Sequence, residues 1–103
     1  MAQFDVFVNP VPSARLRYPF VVAMQSDFAA NSEYQLVAPI APRGAFSNAS
    51  RLTPKIEIQG KEHVVLVPQM TLMRSRNLTS NVSTLGETRS GLLAAIDLLF
   101  FGV

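Results

Sequence analysis

The stretch "KIEIQGKEHVVLV", Lys55 to Val67, constrains the fold more than any other part of the sequence. Ile56 and Ile58 alternate with Lys55, Glu57 and Gln59, and a period of two is the signature of a strand with one buried face. Gly60 and Lys61 read as a two-residue turn. Glycine at its first central position suits type II′, whose twist matches that of paired strands. The return run, Glu62 to Val67, is β-branched and stops at Pro68. An isolated hairpin is marginally stable in water, so further strands must complete an antiparallel sheet.

Other segments supply them. "QFDVFV" alternates, with Phe4, Val6 and Val8 on one face and Asp5 on the other, and reads as a half-buried strand. Asn9-Pro10-Val11-Pro12 ends it, because proline cannot donate to a ladder. "RYPFVVAMQ" is apolar without alternation from Tyr18 to Met24, which predicts a central strand buried on both faces. Pro19 lies near its start, where a strand tolerates it. "QLVAPI" is a short strand that its Pro39 assigns to an edge or a bulge. "RGAFSNAS" has the composition of a surface loop, and "TLMRSRNLTSNVS" offers a short edge strand over Thr71–Arg74. The expectation is a mainly β fold: a small SH3-like barrel, or an antiparallel sheet of about five strands plus a minor sheet. No internal repeat appears, and 49% apolar against 16% charged residues marks a globular chain. Residues 1–103 are read as one domain.

A helix closes the sequence. Thr84 is placed to cap it, with Glu87 completing a capping box. "ETRSGLLAAIDLLFF" follows, rich in strong helix formers. Helical spacing puts Leu85, Leu92, Ile96, Leu99 and Val103 on one stripe, widened by Leu93 and Phe100. The opposite stripe carries Ser90, Ala94, Asp97 and Phe101. An apolar ending such as "DLLFFGV" is either tucked into a core or held out for a partner. The spacing turns Phe101 outward and sets Phe100 at the border of the core.

Chemistry-bearing residues are few. A formal net charge of +2, from nine cations against seven acids, is too small and too scattered for direct sequence-specific nucleic-acid binding. Seven of the nine cations are arginines, which suit bidentate pairing with acidic partners. There is no cysteine, which removes disulfides and thiolate metal sites. His63 is the single histidine and has no second ligand nearby in sequence, so no metal site is assigned. Ser26-Asp27 lacks a neighbouring base, and Asp27 reads as the cap of a turn. Arg74-Ser75-Arg76 reads as a solvated face, and the four methionines as gap-filling core residues. No catalytic or phosphate-binding motif is present, so neither an enzyme nor a cofactor is expected. "MAQFDVFVNP" lacks a basic, then apolar, export signal. "GLLAAIDLLFFGV" is shorter than the roughly 20 residues a bilayer needs. The expected location is the cytoplasm, with no membrane contact.

Several stretches together resemble the CcdB toxins of plasmid and chromosomal toxin–antitoxin modules. They are "QFDVFV", "FVVAMQSDF" from Phe20 to Phe28, "LVAPIAP" from Leu36 to Pro42, "KIEIQGKEHVVLVPQM" and the closing "AAIDLLFFGV". The likeness runs from Gln3 to Val103 and is most specific at Met24-Gln25-Ser26-Asp27 and at Ala95 to Val103. It implies a barrel-like sheet with a terminal helix, assembled as a homodimer. It also implies a protein of plasmid maintenance that poisons DNA gyrase by binding the gyrase A protein and trapping the cleaved-DNA complex. The family's gyrase contacts carry over to Phe101, Gly102 and Val103, to Phe100 and Asp97, and to Phe28 and Ala29. Phe101 stands where the family has an exposed tryptophan, and Asp97 where it has asparagine. The resemblance further implies a cognate antitoxin whose disordered acidic segment wraps the toxin; Arg15, Arg17, Arg43 and Arg51, in the polar loops, are the expected contacts.

Self-association has a second basis in the residues. Tyr18–Met24 and Val64–Val67 are apolar on both faces, more than one helix can cover, and two-fold pairing is the commonest closed solution. Two other functions are weighed. An mRNA-cleaving toxin of the related barrel fold needs a base and cations in one groove, and here it has only His63, Glu62 and scattered arginines. A gyrase-inactive relative that still binds its antitoxin is the other.

Overall fold

The computed structural model describes residues 2–25, 33–45 and 50–102. Among them the chain forms β1 (Asp5–Val8), β2 (Phe20–Ala23), β3 (Tyr34–Pro42), β4 (Lys55–Ile58), β5 (Lys61–Val65), β6 (Thr71–Arg74), β7 (Asn81–Thr84) and α1 (Arg89–Phe101). The strands make one seven-stranded antiparallel sheet in the order β4-β5-β3-β2-β1-β7, with β6 also paired to β3. The sheet curls around the helix, as a mainly β, barrel-like fold with a terminal helix requires.

β3 is where sequence and structure part most clearly. Pro39 predicts an edge position or a bulge for this segment, yet β3 is the nine-residue strand at the centre of the sheet, flanked by β2, β5 and β6. The reason is local. The Leu36 amide donates to Gln25 Oε1 and its carbonyl accepts from Met24, so Leu36, Ala38 and Ile40 turn their backbone groups towards β2. Pro39 therefore faces the other side, between the end of β6 pairing at Val37↔Thr71 and the start of β5 pairing at Ile40↔Val65. Its missing N–H falls in that gap, and its carbonyl still accepts from Leu66 at 2.9 Å.

The β4–β5 hairpin forms as expected, but its turn lies one residue earlier. Ile58 pairs with Lys61, leaving Gln59-Gly60 as the loop. Both have positive φ, 54° and 78°, which makes the turn type I′ rather than II′. A Cβ on Gly60 would meet nothing within 4 Å, so only backbone strain opposes a side chain there. Gly60→Ala is expected to cost about 1–2 kcal/mol. Gln59→Asn, better suited to that φ, should raise stability by a few tenths of a kcal/mol. Thermal melts of the two variants, shifted in opposite directions, check the assignment.

Both faces of the sheet are buried. One face gathers Val6, Val22, Ala38, Ile40, Ile56, Ile58 and Val65 beneath Leu92 and Ala95 of α1. The other buries Phe7, Val21, Ala23, Val37 and Leu78, with a neighbouring cluster of Ala41, Val64 and Leu66 under Tyr18. The run from Phe20 to Ala23 is thus enclosed on both sides, as its unbroken apolarity predicts. That enclosure is completed within one chain, so these residues supply no bare surface for self-association. Met24 is buried, and Met70 and Met73 pack against the two cores as gap fillers.

α1 begins later than its capping box suggests. Thr84 is the last residue of β7, paired with Asp5, and Glu87 sits in the 3₁₀ turn Gly86–Thr88. Thr88 is the cap residue, but its Oγ1 donates to the Leu85 carbonyl rather than capping the helix. Pairing with β1 outweighs capping because it fixes several residues at once. β7 itself carries only one apolar residue, Val82, and edge pairing leaves no periodic signal. At the start of β1, Phe4 holds a φ of 68°, unusual for an aromatic residue. Its amide donates to Ala23 and its carbonyl accepts from Leu85, while its ring lies buried with the Arg89 guanidinium 5.7 Å above it. These contacts offset a backbone strain of about 1–3 kcal/mol.

Candidate partner-binding surface

Burial along α1 runs out in its last turn. Leu92 and Ala95 are inaccessible, Leu93 and Ile96 are partly buried, and Phe100 and Phe101 are 62% and 75% exposed. Phe101 thus faces outward with Ser90, Ala94 and Asp97, as helical spacing predicts. Phe100 does not border the core; this is a correction. The apolar stripe continues in sequence past the point where the sheet can meet it. Ala95, absent from the expected stripe, takes the close contact because a small side chain lets the helix approach the sheet.

Gly102 ends the helix. It adopts φ 73° in the left-handed region, and its amide donates to the Leu98 carbonyl at 3.0 Å. Glycine takes this conformation without the penalty of a Cβ. The helical spacing that assigns Val103 to the core stripe therefore stops applying at Phe101. Asp97, Phe100, Phe101 and Gly102 form one exposed apolar tip with a carboxylate one turn back. Phe28, Ala29 and Val103 lie outside the described residues, as do Ser26 and Asp27.

The arginines sort by position. Arg15 and Arg17 lie in the β1–β2 connection, which the buried Asn9 organises. Asn9 Oδ1 accepts from the Val11 amide, and its Nδ2 donates to the Tyr18 carbonyl at 2.8 Å. Arg15 Nε donates to the Asn9 carbonyl, and the Arg17 guanidinium lies 5.5 Å from the Tyr18 ring. Between them Leu16 is 96% exposed. Asn9 is a positioning residue absent from the sequence-based expectations. Its signal was the Asn-Pro before a loop, the mark of such a side-chain turn.

Phe20 pairs with Ile40, so the loop before β2 and the residues after β3 leave the sheet at one end. Arg43, following Pro42, is there with Arg15 and Arg17. One of its guanidinium nitrogens, Nη1, is buried without a hydrogen-bond partner among the described residues. Arg51 is not part of this group. It sits in the Ser50–Thr53 turn ahead of β4, away from the Gln59-Gly60 end of the hairpin. Arg74 pairs with Glu33 at 3.0 Å on the surface and lies over the Tyr34 ring. Exposed pairs of this kind contribute at most about 1 kcal/mol.

His63 is only 6% exposed, with its ring edge-on to Phe20 at 5.5 Å and Nδ1 bonded to the Lys61 carbonyl. Among the described residues no three His, Cys, Asp or Glu side chains gather to hold a metal. Nor is any helix among them long and apolar enough to cross a membrane.

A family model described as CcdB protein matches residues 3–102. No curated protein matches the sequence.

Proposed function

The chain belongs to the CcdB family, whose members are toxins of type II toxin–antitoxin modules, and from that membership we propose that it binds the gyrase A protein of DNA gyrase and traps the cleaved-DNA complex. The observation that carries this reading is the exposed pair Phe100 and Phe101, set beside Asp97 at the end of α1. Large aromatic side chains left in water at a helix tip are unusual unless a partner covers them. Phe28, Ala29 and Val103 are assigned to the same contact on the resemblance alone. In this role the protein acts as a wedge on another enzyme's intermediate and catalyses nothing itself. The test is a gyrase assay: the protein should inhibit supercoiling and accumulate linear DNA after denaturation of the complex. A protein that binds its antitoxin yet leaves gyrase unaffected would be the inactive relative instead.

His63 gives the mRNA-cleaving alternative no support. Its ring is enclosed and one nitrogen is committed to a backbone carbonyl, whereas a general base must reach its substrate.

The antitoxin's acidic segment is assigned to the arginine end of the sheet. Arg15, Arg17 and Arg43 share that end, and the guanidinium fork suits bidentate pairing with carboxylates. Neutralising Arg15, Arg17, Arg43 and Arg51 together should weaken antitoxin binding and flatten its salt dependence. Arg51→Gln alone should change little, since it lies apart from the others. Unchanged affinity and salt slope in the fourfold variant would remove these residues from the interface.

The homodimer now rests on family membership, since both faces of the sheet are filled from within. Sedimentation equilibrium at tens of micromolar, a concentration range in which micromolar pairing is visible, should show the dimer mass; a monomer there would reject it.

A further inference from the structure

On the sheet face turned away from α1, an apolar groove of about 200 Å³ opens beside Pro39. Val21, Val37, Pro39 and Met73 line it from β2, β3 and β6, and Val11 and Ala14 from the β1–β2 connection. It lies at the break between the β6 and β5 pairings of β3, next to the last β6 pair at Val37↔Thr71. The volume is below the roughly 300–1,000 Å³ of sites that enclose whole small ligands. It suits a single large side chain of a longer partner.

Two cations stand at its rim. Asn9 and Tyr18 also line the groove. Arg15 Nε donates to the Asn9 carbonyl at 2.6 Å, and the Arg17 guanidinium lies 5.5 Å from the Tyr18 ring. Both arginines are exposed, and among the described residues neither forms a salt bridge. Nor, among those residues, does any charged side chain line the groove itself. The connection also leaves apolar surface in water, with Val11 44% and Leu16 96% exposed. Exposed apolar surface beside anchored, unpaired cations fits a partner that carries both carboxylates and an apolar side chain. A second copy of this chain does not fit, because two-fold pairing here sets the arginines of one protomer against those of its partner.

We infer that the groove seats one leucine- or isoleucine-sized side chain of an acidic peptide segment, with the carboxylates on either side of it bound by Arg15 and Arg17. This anchor belongs to the acidic antitoxin segment assigned above to the arginine end of the sheet, and it rests on that reading. It adds the pattern such a segment must carry, one large aliphatic residue flanked by acids. The carboxylates set orientation and encounter rate, and the aliphatic side chain supplies the buried area.

The test follows the methyl signals of Val21, Val37 and Met73, and the Nε signals of Arg15 and Arg17, in the full chain. The probes are end-blocked pentapeptides: leucine between two pairs of glutamates, alanine in its place, and leucine between two pairs of glutamines. The leucine–glutamate probe should shift both sets of signals saturably, with an affinity on the order of millimolar for so short a peptide. The alanine probe should bind at least about tenfold more weakly, because it lacks the buried methylene groups. The glutamine probe should bind more weakly and lose the salt dependence. Ala14→Leu, which fills the groove from the connection and leaves both arginines in place, should bring the leucine–glutamate probe down to the alanine level. Equal binding of the leucine and alanine probes, with only the arginine signals moving, would overturn the groove while leaving the arginine end assigned to the antitoxin. A glutamine probe as strong as the glutamate one would overturn the acidic partner, and no saturable shift of either set would overturn groove and arginine end together. These outcomes are read on the unmodified protein, so they decide the matter even if the variant does not fold.

Discussion

Removing Phe101, Gly102 and Val103 should leave the melting temperature within about 4 °C of the intact protein, the shift that ~1 kcal/mol produces in a domain of this size, and should abolish gyrase inhibition. Phe101 is three-quarters exposed, and Gly102 terminates α1 without contributing a side chain. Were Phe101 a core residue, its loss would cost about 1.5–3 kcal/mol in buried apolar surface. Phe101→Trp should act in the opposite sense on gyrase. Tryptophan is the best aromatic partner for a cation, and the gain at an exposed site is about 0.5–1 kcal/mol. The measurements are supercoiling inhibition and thermal melts of the intact protein, the deletion and Phe101→Trp. A deletion that melts normally and still poisons gyrase would refute the site. One that unfolds would return these residues to the core.

Leu92→Ala should have the larger effect on stability. Leu92 is inaccessible and joins α1 to Val22, Ile40 and Val65 in the main core cluster. Truncation of such a leucine costs about 3–5 kcal/mol, because the cavity collapses only in part. Against a total of about 5–15 kcal/mol, that loss brings a domain near its unfolding threshold. Leu99→Ala, two helical turns further on along the same stripe and 37% exposed, should cost less than half as much. Denaturant midpoints of the two variants provide the comparison. Equal losses would mean that the last turn of α1 is packed as tightly as its middle.

The strand elements were legible where the sequence alternates or runs unbroken in β-branched residues. Ile56, Ile58 and the Val64-Val65 run identified the hairpin, and Phe20 to Ala23 declared a doubly buried strand, because those patterns mirror the side-chain period itself. β7 was not legible: Asn81-Val82-Ser83-Thr84 is polar, and only its pairing with β1 makes it a strand. Thr84 and Glu87 have the spacing of a capping box, but local capping yielded to that same pairing. The turn residue was misplaced by one because Gln59 adopts a conformation that its type rarely takes.

For the candidate surface, the sequence by itself determined the helix and its outward face, since helical periodicity is a local property; that Gly102 ends it came from the structure. The sequence also carried the resemblance that names the family. Only the tertiary structure decided three things. It exposed Phe100, because how far a sheet extends beneath a helix is not written in the helix. It gathered Arg15, Arg17 and Arg43 at one end of the sheet and left Arg51 elsewhere, because strand order rather than chain order sets distance. And it placed Pro39 at the centre of the sheet, because a proline is excluded from a ladder only where its missing N–H would have had a partner.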